Sequence, residues 1–388
     1  MQRRTILALA GSATVSMAAM AGCLGSDDDE QGDDEQDDDD AETTDEQEDD
    51  PMDDRIEERP AAGTLPDYTR WIPGDGEESI VYADLTVPRE YEEQFSTLFG
   101  EDSLVSEAED EGGDGEPTDP MIEPVGGFAA ILLIAGFTVD QTGLSGLLDD
   151  GMNGETDAGP AFETTIDEVL ITNGALVMSG DIDTAEVDNA LTAAVTDEDD
   201  EMLQTIEYEA DGSIGEYDRY RPLEGSLNSI AVGDDAIVME TEADVSALEP
   251  VIGAKTGDRD RATETNDDFE WLLSSIEHGH IAVGGYDESF EDDTDTGDDL
   301  DEGTEDNDTP EDALSELEGP GGFASSMTMT DDGGATGAMA LVAATIDDAE
   351  ADELEASIGM SATTADVDMG IDWLTATATW EEAALTEL

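Results

Sequence analysis

The sequence predicts an α+β fold: antiparallel hairpins with helices packed on one face, built from repeated strand–strand–helix units with long acidic disordered loops. Three observations predict it. Short apolar runs come in pairs joined by turn residues, as at Asn173-Gly174, the dipeptide best suited to a tight hairpin. An aspartate and a helically spaced apolar stretch follow several of these pairs, the pattern of a capped amphipathic helix. Between them lie segments so acidic that they cannot bury enough apolar surface to fold.

The clearest unit has apolar runs at 166–172 and 175–180. Asp183 then stands at an N-cap with Glu186 three positions on, and Val187, Leu191 and Ala194 share one helix face. A second unit runs through 230–233, Asp234-Asp235 and 236–240 to Asp244, the cap of a helix bearing Val245, Leu248 and Ile252. A third has a run at 327–330, a turn at 331–334 and a run at 338–346. Asp347 then caps a helix bearing Ala351, Leu354 and Ile358. A degenerate fourth copy pairs a strand at 79–86 with a helix at 88–98, Pro88 lying near its start. The period is too irregular for a solenoid.

Two segments complete the fold. Residues 128–139, FAAILLIAGFTV, are the most apolar stretch. At about 1.5 Å per residue they fall short of a ~30 Å bilayer core. They read as a buried helix, with a membrane hairpin or a ligand-facing helix as the other readings. Residues 267–276 read as an amphipathic helix with Phe269, Leu272, Leu273 and Ile276 inward, followed by a strand over 280–286.

The 388 residues carry 106 acidic and 11 basic side chains, a formal charge of −95. No basic patch could follow a phosphate backbone, which excludes nucleic acid as a partner, and anionic headgroups would repel the chain. Yet 37% of residues are hydrophobic and cluster in the segments above, so an acid-coated folded protein fits better than wholesale disorder. Self-repulsion on that scale is tolerable in brine, where the Debye length falls to about 3 Å at about 1 M salt. The excess of Asp and Glu over a single lysine, Lys255, resembles the proteins of halophilic archaea.

The N-terminus describes an export route. Arg3 and Arg4 precede a mildly apolar run that ends in Met20-Ala21-Gly22-Cys23. The pair resembles a twin-arginine signal and the ending a lipobox. Cleavage before Cys23 would leave that residue first, carrying a covalent diacylglycerol; the alternative is a cleaved leader with an incidental cysteine. Loss of Arg3 and Arg4 takes the charge from −95 to −97. Two acyl chains anchor stably where one is marginal.

The organisation that follows is a leader at 1–22 and a lipidated cysteine with an acidic disordered stalk at 23–63. An α+β domain occupies 64–286, interrupted by an acidic insertion at 101–123. An acidic disordered loop at 287–318 precedes the domain's C-terminal strands and helix at 319–388. The loop contains no EF-hand spacing, and Asn307-Asp308-Thr309 within it is a formal glycosylation sequon weakened by Pro310.

Signal and stalk together resemble haloarchaeal twin-arginine lipoproteins. The stretch 166–286 resembles poorly characterised exported α+β proteins of bacteria and archaea. The shared features are Gly180-Asp181-Ile182-Asp183 before a helix, then an apolar hairpin and a second capped helix over 236–255. That resemblance implies no established chemistry.

Candidate sites are few. His278 and His280, two apart on an extended strand, would project to one side and could converge on a transition metal with Glu277; the plainer reading is a polar helix-to-strand turn. No nucleophile motif or Walker lysine occurs. Arg219, Arg221, Arg259 and Arg261 could grip an anion but sit among carboxylates they would neutralise. No catalytic residue and no cofactor, apart from the diacylglycerol on Cys23, is identified.

The expected protein is a lipid-anchored, extracellular-facing membrane protein with a non-enzymatic binding or envelope-organising domain, its partner an envelope protein or a small solute. A solute-binding lipoprotein of an importer is the alternative, and an envelope hydrolase the third. If brine screens the acidic coat, lowering salt from molar to about 0.1 M, where the Debye length is about 10 Å, should lower the melting temperature. A melting temperature unchanged between these conditions would refute the halophilic account.

Overall fold

The computed structural model describes residues 59–75, 78–87, 91, 119–140, 142–144, 146–148, 162–193, 207–223, 228–241, 246–287 and 321–385. The leader, Cys23, most of the stalk, the loop at 288–318 with Asn307, the helix expected at 88–98 except Tyr91, and Ala194, Asp244 and Val245 lie outside the described residues.

Among the described residues, twelve strands form one antiparallel sheet. In chain order they are β1 (Glu78–Asp84), β2 (Thr165–Thr172), β3 (Ala175–Asp181), β4 (Tyr208–Ile214), β5 (Tyr217–Pro222), β6 (Ile230–Val232), β7 (Ala236–Glu240), β8 (Ile281–Asp287), β9 (Gly321–Met329), β10 (Ala335–Val342), β11 (Thr364–Met369) and β12 (Trp373–Trp380). Their order across the sheet is β11-β12-β10-β9-β8-β1-β2-β3-β7-β6-β5-β4. Strand β1 therefore joins two arrays, β2 to β7 on one side and β8 to β12 on the other. It pairs with β2 (Val81 opposite Ile171) and with β8 (Val81 opposite Val283).

Local chemistry explains the hairpins. Asn173 and Gly174 take φ of 48° and 70°, the left-handed pair that a tight turn between twisted strands requires. The helices after Asp183 and Asp347 follow where those caps predict them, whereas the one expected from Asp244 starts only at Leu248, with Ala247 as an N-cap that makes no side-chain hydrogen bond. Seven are described: α1 (Glu123–Asp140), α2 (Thr184–Thr192), α3 (Leu248–Thr256), α4 (Ala262–Thr265), α5 (Asp267–Ser275), α6 (Asp348–Ser357) and α7 (Glu382–Leu385). The Asp183 carboxylate accepts from the N–H groups of Ala185 and Glu186 at the start of α2. Asp347 and Glu350 form a reciprocal capping box at α6. In α5, Phe269, Leu272 and Leu273 are buried together with Ile276 at its end, as their spacing predicts.

The helices do not share one face, and this corrects the sequence expectation. One face carries α1, α2 and α6, whose Phe128, Ile131, Val187, Leu191 and Leu354 pack on Val81, Val283, Met178 and Met339. The other carries α3, α4 and α5, with Val251, Ile252, Ala262, Phe269 and Leu272 over Ile80, Tyr82, Val177 and Val238. The reason is visible in the strands. A strand with one face in water alternates, whereas β6 and β7 are buried at every position, as unbroken apolar runs require. The fold is thus α+β but dominated by its sheet.

Helix α1 extends the apolar run at 128–139 to 18 residues. No helix among the described residues is long and apolar enough to cross a membrane. It crosses the middle of the sheet, and Gly127 makes the crossing close. A Cβ there would lie 2.2 Å from Val283 Cγ1 and 3.2 Å from Val81 Cγ1, whereas one on Gly126 would meet nothing within 4 Å. Adjacent Gly→Ala changes should therefore have opposite signs. Gly126→Ala is expected to raise stability by up to about 1 kcal/mol through helix propensity. Gly127→Ala is expected to lower it by roughly 1–3 kcal/mol by overpacking the β1–β8 contact. Denaturant midpoints of the two variants measure this directly.

Candidate functional site

Residues 59 and 60, where the description of the chain begins, are clamped to the domain. Arg59 donates through Nη1 to Asp268 on α5 and through Nη2 to Asp372, 2.9 Å away, just before β12. Its guanidinium lies 5.5 Å from the centre of the Trp271 ring, and Trp271 Nε1 donates to the Pro60 carbonyl at 3.0 Å. Trp271 in turn stands edge-on to Trp373, with ring centres 6.2 Å apart. Burial works against the Arg59 charge, but the hydrogen bonds to Asp268 and Asp372 outweigh it and raise the pKa above its ordinary value. Residues 59–63, which the sequence places in the stalk, thus lie against α5, where Gly63 abuts the Ser274 carbonyl.

The histidines are not brought together. His278 is exposed beside Tyr82 and Tyr68, at ring distances of 5.8 and 6.2 Å, on the face that carries α5. His280 is half-buried, accepts the Met329 N–H at Nδ1 (3.1 Å) and lies 5.9 Å from the Tyr91 ring, which packs on the opposite face. The two side chains do not share a strand face, because β8 begins only at Ile281 and Glu277 turns the chain with φ of 57°. Among the described residues, no group of three or more His, Cys, Asp or Glu is placed to hold a metal ion.

Five of the seven described cations, Arg59, Arg219, Arg221, Lys255 and Arg259, are engaged with carboxylates. Lys255 Nζ lies 2.6 Å from Asp235, which also accepts from the Tyr217 hydroxyl, and over the Trp71 ring at 5.2 Å. Desolvation opposes the Asp235 charge, yet the bonds from Lys255 and Tyr217 win and lower its pKa. This cluster fastens the β6–β7 turn to α3. Arg221 pairs with Glu209 across β4 and β5, and Arg259 pairs with Asp75. Arg261 Nε donates to the Ala254 carbonyl.

Two carboxylate acceptors, Asp119 in the core and the partly exposed Glu186, make contacts that the sequence does not show. Asp119, counted with the acidic insertion, is 3% exposed and accepts from the N–H groups of Met121, Gly359 and Ser361 and from the Ser361 hydroxyl. These donors let a carboxylate sit in the core and tie the approach to α1 to the turn after α6. Glu186, expected to cap its own helix, instead accepts from the N–H groups of Glu163 and Thr164.

Comparison with protein-family models and with well-characterised proteins finds no match to the sequence. Crystal forms III and I of the Treponema protein TP0453 align with TM-scores of 0.38 and 0.36, each at 10% identity. The alignments cover 84% and 83% of this chain and 97% and 96% of the other. These scores lie below those of a shared fold, and no conclusion about this chain follows from them.

Removing the clamp should free the end of the stalk and wet the indole. Arg59→Ala is expected to cost about 1 kcal/mol, the scale of a part-exposed ion pair with a cation–π contact. It should also shift tryptophan emission to the red and move the first protease cut C-terminal to residue 59. An unchanged cleavage map would show that Arg59 does not hold the junction.

Proposed function

We propose that the protein is a lipid-anchored surface protein of a halophilic archaeon whose domain binds or organises a component of the cell envelope without catalysing a reaction. The observation that carries this reading is the junction at Arg59 and Pro60. An acidic run long enough to extend roughly 120 Å ends in a specific attachment to α5 and to the start of β12. A spacer fastened in this way suits a domain held off a membrane by its N-terminus.

The twin-arginine pair, the lipobox residues Met20, Ala21 and Gly22, and Cys23 supply the export route and anchor in this reading, with the acidic coat an adaptation to brine. The three hairpin-and-helix successions, β2-β3-α2, β6-β7-α3 and β9-β10-α6, are read as copies of one ancestral unit. A single sheet continuous across twelve strands supports the reading over a two-lobed solute receptor, whose ligand would lie in a cleft between lobes.

Anchoring is tested by Cys23→Ser and by Arg3→Lys with Arg4→Lys. The first should move the protein from the membrane fraction to the medium, and the second should retain the uncleaved precursor inside the cell. Membrane association unaffected by Cys23→Ser would overturn the lipid anchor. Crosslinking at the living cell surface in high salt then asks whether the domain has an envelope partner.

A further inference from the structure

The C-terminal half of the sheet aligns four threonines. Thr328 on β9 faces Thr336 on β10, Thr336 faces Thr379 on β12, and Thr379 faces Thr364 on the edge strand β11. Neighbouring strands lie about 4.8 Å apart, so the row spans roughly 14 Å. Thr336, Thr364 and Thr379 are exposed. The next row on the same side places Thr377 beside Asp366, and the one after it Thr375 beside Asp368. At the turn end of the threonine row a recess of about 590 Å³ is lined by Thr330, Asp332, Thr336, Thr379, Glu381 and Glu382, with Trp380.

Threonine is a good strand former, and single exposed threonines need no further account. Four in one row beside a recess, in a chain with 106 acidic residues, are a different matter. Where the rest of the surface presents carboxylates, this row presents hydroxyls. The carboxylates at its end have no cation: among the described ion pairs none involves Asp332, Glu381 or Glu382. The Thr330 hydroxyl and backbone N–H groups hold Asp332 ionised, its pKa lowered, which keeps it an acceptor. The described carboxylates are not placed to chelate a metal.

We infer that the recess and the threonine row bind a neutral polyhydroxylated ligand, a saccharide chain, by direct hydrogen bonds. Carboxylates and threonine hydroxyls between them accept from and donate to sugar hydroxyls. An anionic partner would be repelled by Asp332, Glu381 and Glu382, and a cationic one would compete with the cations of molar salt. The recess falls within the size range of small-ligand sites, and the open row lets a chain continue beyond it. This inference deepens the binding role proposed above and rests on that role, but not on the lipid anchor.

The test uses the full mature chain, purified in detergent at molar salt, in affinity electrophoresis through gels containing mannan or dextran, with spermine binding measured separately. Retardation by at least one of the two polysaccharides is expected. Thr336→Val with Thr379→Val, which keeps shape and strand preference, should weaken it about tenfold or more. Glu381→Gln, at an exposed position, should weaken it as well and serves if the double variant fails to fold. No retardation by either polysaccharide, retardation untouched by these changes, or saturable spermine binding without polysaccharide binding would each overturn the inference. Surface crosslinks to an envelope protein would, in those cases, leave the broader binding role standing.

Discussion

The sheet depends on β1. Every strand on one side of it comes from residues 165–240 and every strand on the other from residues 281–380. Only the ladders of β1 to β2 and to β8 make the two arrays continuous. Its partner β8 lies about 200 residues away, so pairing them closes a long loop, a cost that grows only logarithmically with length. Burial on both sides offsets that cost. Val81 and Ala83 face α1, while Ile80 and Tyr82 face the layer that holds Tyr68 and Trp71. Burial of Ile80 and Val81 contributes roughly 1.5–3 kcal/mol each. Gly127 permits the closest part of that packing, because any side chain there would push α1 away from the seam.

The same constraint orders the charges. An acid-rich chain can fold around this seam only if carboxylates stay outside it or arrive with their donors. Asp119 comes with three backbone N–H groups and a hydroxyl, Glu186 with two backbone N–H groups, and Asp235 with Lys255 and Tyr217. Three of the described cations are used at joints: Arg59 where the N-terminal segment meets α5, Lys255 where a turn meets α3, and Arg221 where β4 meets β5 near the sheet edge. These three described cations each secure a connection between elements.

Much of this was legible in the sequence where the signal is local. Asn173-Gly174 fixes its turn by backbone conformation alone, and Asp183 and Asp347 mark helix starts because a cap is satisfied within three residues. What failed depends on distant partners. The two-sided cover of the sheet was written in the unbroken run at 236–239, but only the placement of α3 and α5 on the far face makes it evident. The role of Asp119 depends on Gly359 and Ser361, some 240 positions on. The threonine row requires the register of four strands, and in sequence it shows only as alternation along β12. Whether His278 and His280 could converge depended on how far back the strand extends, and β8 begins only at Ile281.

The positions of the stalk clamp and the recess bear on each other. Asp372, which holds Arg59, immediately precedes β12, and Thr379, which lines the recess, lies near its other end. Seven residues of extended strand separate them by about 24 Å. A domain tethered through Arg59 therefore carries the recess at the end of the strand away from its tether. Strands β11 and β12, which carry Thr364 and Thr379 of that row, form the margin of the sheet. The sheet thus places the attachment of the N-terminal segment at one end of β12 and the recess at the other. A cleft between lobes would have to move to admit a ligand, whereas this surface is already open, which suits contact with an extended component of the envelope better than capture of a free solute.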